Sequence, residues 1–173
     1  KQDMQERGWD ELDFIYILGD AYVDHPSFGA AIITRVLEAF GYKIGIIPHP
    51  DIKNDEAFKV LGTPKIGFMI SAGNIDTMVN MYTSNKRRRS EDLYQESGDP
   101  NKRPKDATIT YTKIVKRLFP NKPVIIGGIE ASLRRLAHYD YMKDDLRKSI
   151  LLESGADIIS YGMGDKGIVD IAD

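Results

Sequence analysis

Five short runs of β-branched and aromatic residues punctuate the chain: Phe14 to Leu18, Lys43 to Ile47, Lys65 to Ile70, Pro123 to Ile126 and Asp157 to Tyr161. Runs of this length, bounded by Gly, Pro and Asp, predict strands. Most are continuously apolar where a half-exposed strand would alternate, which is the pattern of strands covered on both faces. Stretches of helical period lie between them. A helix in each connection demands a parallel sheet, because parallel neighbours need a long crossover, and that crossover is right-handed almost without exception. The fold class is therefore α/β, a doubly wound, Rossmann- or flavodoxin-like, mostly parallel five-stranded sheet.

The clearest helix is predicted over Pro26 to Phe40, where Ala30, Ile33, Val36, Leu37 and Phe40 recur at three and four residues. Pro26 suits a first helical position and Gly41 a C-terminal stop. Further helices are predicted at Asp55 to Leu61, Ile75 to Tyr82, Ala107 to Phe119 and across Ala131 to Glu153, the last broken near Tyr139 to Asp144. The chain stops at Ile168 to Asp173, in the middle of a fresh amphipathic pattern. At 173 residues the default is a single α/β domain over 1–173. Its start without Met and its stop within that last pattern lead to the expectation of an N-terminal piece of a longer protein.

One segment, Ser84 to Asp106, breaks the alternation with seven basic and five acidic residues. Its apolar content is Leu93 and Tyr94 alone, so the expectation is a long charged loop, solvated, poorly ordered or covered by another chain. A nucleic-acid arm is disfavoured there by the interspersed acids.

Composition then removes whole classes of function. Lys plus Arg (24) nearly cancels Asp plus Glu (26), so no global field draws the molecule to nucleic acid or to an anionic membrane. There is no cysteine, which excludes a thiolate zinc site, a cysteine nucleophile and an iron–sulfur cluster ligated from within this chain. No run approaches the ~18 apolar residues of a membrane span, and the first residues lack the apolar core of a signal peptide. The expected compartment is the cytoplasm, with no membrane partner.

In such sheets ligands collect beyond the carboxyl ends of the strands. After the first strand, Asp20, Tyr22, Asp24 and His25 are candidate polar contacts. The second ends in Pro48-His49-Pro50-Asp51, whose histidine reads as a loop residue. The third ends in Ser71-Ala72-Gly73-Asn74, where Ser71 and Asn74 precede a helix. The fourth ends in Gly127-Gly128-Ile129-Glu130 and the fifth in Tyr161-Gly162-Met163-Gly164. Neither glycine pair has the spacing of a dinucleotide fingerprint or of a phosphate-binding loop, so a classical nucleotide site is disfavoured. Two pairs on adjacent loops suit a flat ligand lying across the sheet end. The candidate binding set is thus Asp20, Tyr22, Asp24, His25, Ser71, Asn74, Gly127, Gly128, Glu130 and Gly162, with no catalytic or metal residue among them.

Ile125 to Ser132 and Ala156 to Asp165 resemble the glycine-bearing loops of the cobalamin-binding-type domain that precedes many radical S-adenosylmethionine (SAM) enzymes. Together with Arg7-Gly8-Trp9-Asp10, Gly19 to Gly29, Lys86-Arg87-Arg88-Arg89-Ser90 and Gly127 to Tyr141, nearly the whole chain resembles the N-terminal domain of YgiQ-type radical SAM proteins. The resemblance implies a C-terminal radical SAM domain, absent here, in which a CxxxCxxC motif holds a [4Fe–4S] cluster that cleaves SAM reductively to a 5′-deoxyadenosyl radical. It implies strand-end loops that face that domain's active site, and an unidentified substrate. Cobalamin itself is disfavoured. The cobalamin motif that supplies a protein imidazole is DxHxxG, whereas here Asp24 and His25 are adjacent and Gly29 follows His25 by four. Cobalamin could bind without that imidazole, but a fold kept for substrate or partner contact fits the spacing better. The competing reading is a non-catalytic ligand- or partner-binding module of flavodoxin-like fold. Its phosphoacceptor version fails, because strand three ends in Ser71 and strand five in Gly162.

Overall fold

The computed structural model describes residues 1–173. Its elements run α1 (Gln2–Glu6), β1 (Phe14–Leu18), α2 (Gly29–Ala39), β2 (Ile44–Pro48), α3 (Asp55–Lys59), β3 (Gly67–Ser71), α4 (Thr77–Met81), α5 (Ala107–Leu118), β4 (Val124–Ile126), α6 (Gly128–Leu133), β5 (His138–Asp140), β6 (Asp145–Arg147), α7 (Ile150–Ser154), β7 (Ile158–Ile159) and α8 (Gly164–Ala172). The five predicted strands form one sheet of order β2-β1-β3-β4-β7 with every neighbouring pair parallel. The chain first winds outward from β1 to β2 and then returns to the other side of β1 for β3. The two halves of the sheet therefore diverge between β1 and β3, the place where such folds open a crevice.

Side chains alternate between two cores, because successive strand residues point to opposite faces. Ile15, Ile17, Phe68, Ile70, Val124 and Ile126 pack with Phe58 of α3 and with Tyr111 and Val115 of α5. On the other face Phe14, Tyr16, Leu18, Met69 and Ile125 meet Leu37 of α2 and Ile168 of α8. Burial on both faces is why the strands carry no polar alternation. β1 and β3 are buried at every position.

Three expectations need correction. Helix α2 begins at Gly29 and not at Pro26, because His25 to Phe28 first closes a turn, with Phe28 N–H donating to the His25 carbonyl at 2.9 Å; proline's fixed φ serves such a turn as well as it serves a helix. The helix expected across Ala131 to Glu153 is broken near Tyr139 to Asp144 as expected, but what breaks it is an antiparallel pair, β5–β6, between two short helices. Asp140 makes that turn by accepting from the backbone N–H groups of Met142 (2.9 Å) and Lys143 (3.1 Å), and Asp144 follows with φ 55°.

The third correction concerns 84–106, which is folded onto its own chain. Thr83 N–H donates to the Arg87 carbonyl at 2.8 Å and Arg89 N–H to the Met81 carbonyl at 2.9 Å, forming a tight hairpin. Further on, Asp92, Gln95 and Arg103 are buried. The segment needs no apolar content because an ion-pair network anchors it. Leu93, one of its two apolar residues, is 80% exposed and contributes nothing to that anchoring.

Candidate functional site

At the divergence point the loops after β1, β3, β4 and β7 surround a cavity of about 310 Å³ between the first turns of α2 and α8. Tyr16, Met69 and Ile125 line it from the sheet, with Ile33 and Ile168 from the helices. The Tyr16 hydroxyl donates to Ser71 Oγ at 3.1 Å, which places a hydroxyl pair among the apolar side chains at the sheet end of the cavity. Burial raises the Tyr16 pKa, with the Ser71 hydrogen bond opposing, and the phenol stays neutral.

Of the ten candidates, seven line this cavity: Asp20, Tyr22, Ser71, Asn74, Gly127, Gly128 and Gly162. Parallel topology gathers them although they lie on four loops. Gly128 has φ 80°, which favours glycine, and a Cβ there would sit a tight 3.2 Å from Ser71 Cβ. Asn74 Oδ1 accepts from Gly29 N–H at 3.3 Å, which ties the β3 loop to the start of α2.

Asp24, His25 and Glu130 do not reach the cavity. Asp24 is exposed and pairs with Arg35, and its carboxyl is held below the usual range, chiefly by that hydrogen bond. His25 Nδ1 accepts from Ser27 N–H at 3.1 Å, which turns the ring back onto its own loop. Glu130 is 1% exposed and accepts from Thr77 N–H (2.9 Å) and Thr108 N–H (3.0 Å), so it holds the first turns of α4 and α5 together. No group of three or more His, Asp or Glu side chains is arranged to hold a metal ion.

Asp20 has a further role that the sequence did not indicate. Its carboxylate accepts from Arg103 Nη2 at 2.5 Å and from Asn74 N–H at 2.6 Å. Arg103, itself fully buried, also donates to Asp92 (2.9 Å) and to the Ala72 carbonyl (2.5 Å). One guanidinium thus fastens the 84–106 segment to the ends of β1 and β3. Burial raises the Asp20 pKa, with Arg103 opposing. Burial also pushes Asp92 upward, but the hydrogen bond and charge of Arg103 outweigh it and hold Asp92 low. Beside this network Gln95 Nε2 lies 2.7 Å from His49 Nδ1 and donates to the Gly19 carbonyl at 3.2 Å. His49 has φ 46°, and burial first, then the charge of Arg103, lowers its pKa to about 4. In the sequence, Arg103 and Asp92 are two charges in a charged loop, and nothing in their spacing separates them from solvated neighbours.

A five-stranded parallel sheet flanked by helices, with a cavity at its carboxyl edge, makes this a doubly wound α/β domain. Within that class the chain matches the radical SAM N-terminal family over residues 1–173 and belongs to it. It is 58% identical over 172 residues to a UPF0313 protein of Bacteroides thetaiotaomicron, covering 99% of this chain and 28% of that relative. A UPF0313 protein of Clostridium perfringens is 54% identical over 173 residues, covering 100% of this chain and 26% of the relative. One from Clostridium botulinum is 54% identical over 172 residues, with 99% and 27% covered. The chain spans about a quarter of the length of these relatives. No solved structure matches it. No helix is long and apolar enough to cross a membrane.

Proposed function

We propose that this chain is the N-terminal accessory domain of a radical SAM enzyme, and that its strand-end cavity forms one wall of the active site in the longer protein. The observation that carries this reading is the cavity: an apolar recess at the carboxyl edge, bounded by bare backbone at Gly127, Gly128 and Gly162. Family membership and the fourfold greater length of the relatives support a catalytic part elsewhere in the polypeptide. This chain's own residues do not fit a [4Fe–4S] cluster, since it has no cysteine and no cluster of ligating side chains. They do not fit an imidazole-ligated cobalamin either, because His25 is bent onto Ser27 and lies outside the cavity lining. What the domain supplies is shape and a few polar contacts: a largely apolar recess, the Tyr16–Ser71 hydroxyl pair and the Asn74 amide.

The test uses the full-length protein reconstituted anaerobically. Iron and sulfide near four of each per chain, with 5′-deoxyadenosine released from SAM, are expected. Val23→Trp, at the exposed cavity rim, is expected to reduce turnover while shifting unfolding by no more than about 0.5 kcal/mol. A full-length protein that assembles no cluster would overturn the radical SAM reading, and unaltered turnover in Val23→Trp would overturn the role of the cavity.

A further inference from the structure

We infer that the hairpin bearing Lys86, Arg87, Arg88 and Arg89 is a docking surface for single-stranded nucleic acid. The inference is independent of the cavity. Of the twenty basic side chains elsewhere, nine, Arg7, Arg35, Lys59, Arg103, Lys116, Arg117, Arg134, Lys143 and Arg147, pair with carboxylates. The four successive cations of the hairpin pair with none. They are held without being neutralised: Arg88 donates to the Pro100 carbonyl at 2.9 Å and Arg89 to the Val79 carbonyl at 3.1 Å. Lys102, also exposed and without a carboxylate partner, lies two residues beyond Pro100. Fixing the backbone and two guanidiniums in advance lowers the ordering cost of binding a polyanion.

Aromatic rings accompany the charges. Lys86 Nζ lies 4.4 Å from the centroid of the half-exposed Tyr141, whose hydroxyl donates to the Ser84 carbonyl at the hairpin tip. Arg87, Arg88 and Arg89 share a shallow groove with Leu93 and Tyr94, and Glu91 is the one acidic residue lining it. A row of cations beside aromatic faces is the arrangement that tracks phosphates and stacks bases on a single strand. The acids of the segment, which count against this reading in the sequence, are partly removed by the fold. Asp92 is buried against Arg103 and Asp106 pairs with Lys143, leaving Glu91, Glu96 and Asp99.

The test is anisotropy of a labelled mixed-sequence single-stranded RNA 20-mer with full-length protein between 50 and 300 mM KCl. Four phosphate contacts predict a slope of log K against log[salt] near about −3. The Arg87 side chain makes no hydrogen bond within the chain, so Arg87→Glu is expected to fold normally, checked by circular dichroism, and to weaken binding at least about tenfold with a shallower slope. Tyr141→Ala is expected to lose about tenfold through stacking. Absence of binding at 50 mM KCl, or no change in Arg87→Glu, would overturn the inference. So would displacement of the RNA by polyglutamate of equal charge at equal concentration, which would assign the hairpin to an acidic protein partner.

Discussion

Arg103 is the residue on which the carboxyl edge depends, because a single buried side chain reaches two carboxylates and a carbonyl on three different stretches of chain. Replacing it with Ala would leave Asp20 and Asp92 buried without their cation. The expected loss is about 3–5 kcal/mol in urea unfolding, the cost of removing one partner of a buried pair. Asp24→Ala, which removes an equally well-formed but exposed pair with Arg35, is expected to leave stability nearly unchanged. His49 gives the same region an acid sensitivity. Its pKa in the folded chain is about 4 against an ordinary 6.5, so the unfolded chain binds the proton more tightly. Its contribution is intact above pH 6.5 and declines as the pH falls toward 4. Asp20, whose folded pKa is raised, works in the opposite sense: its native state takes up a proton first, and stability is regained as the pH falls through that pKa toward 3.8. The measured slope also carries carboxylates held low, such as Asp92, whose contribution is lost as the pH falls, and His49→Asn isolates the imidazole's part by comparison with the parent, since Asn tolerates the φ of 46°. Melting curves from pH 7 to 4 should flatten in that variant; an unchanged slope would mean the imidazole is not buried as a neutral group.

At the scale of elements, the sheet was legible in the sequence because burial on both faces writes continuous apolar runs, and Phe14 to Leu18 is both predicted and observed without a shift. The same logic failed for Ala131 to Glu153, where the apolar residues belong to α6, a hairpin and α7 in succession and no period distinguishes them from a broken helix. Of the site, seven of ten positions line one cavity because topology alone brings strand ends together. Glu130 was misplaced for a physical reason: position after a strand says where a Cα lies, not that its carboxylate is already taken by the N–H groups of Thr77 and Thr108. Glu130→Ala therefore tests helix attachment. It strands two N–H groups at the starts of α4 and α5, with an expected cost of about 2–4 kcal/mol. Gly128→Val is likewise a fold variant before it is a site variant, since φ 80° and the Ser71 contact strain any side chain there; the expected cost is about 1–3 kcal/mol.

For the whole molecule the question is what covers the edge of the sheet at β7. This strand has two residues, and the chain beyond it exposes Tyr161 (63%) and Met163 (87%). The loop is held against α6, since Gly162 N–H donates to Ser132 Oγ at 3.0 Å and the Arg135 guanidinium lies 5.4 Å from the Tyr161 ring centroid, and Leu133 of α6 is exposed as well. Gly162 and Met163 also line the cavity, so the apolar patch and the cavity mouth are continuous. A contiguous exposed apolar patch marks an interaction surface, and under the proposed function the catalytic part of the longer polypeptide is what rests there. Hydrogen exchange decides it. In full-length protein the amides of 158–164 and of α6 are expected to exchange at least about tenfold more slowly than in the separate chain, whereas those of α3, remote from the patch, should match. Equal exchange in both forms would show that the β7 edge stays open to solvent and that the catalytic part closes the cavity from another side or not at all.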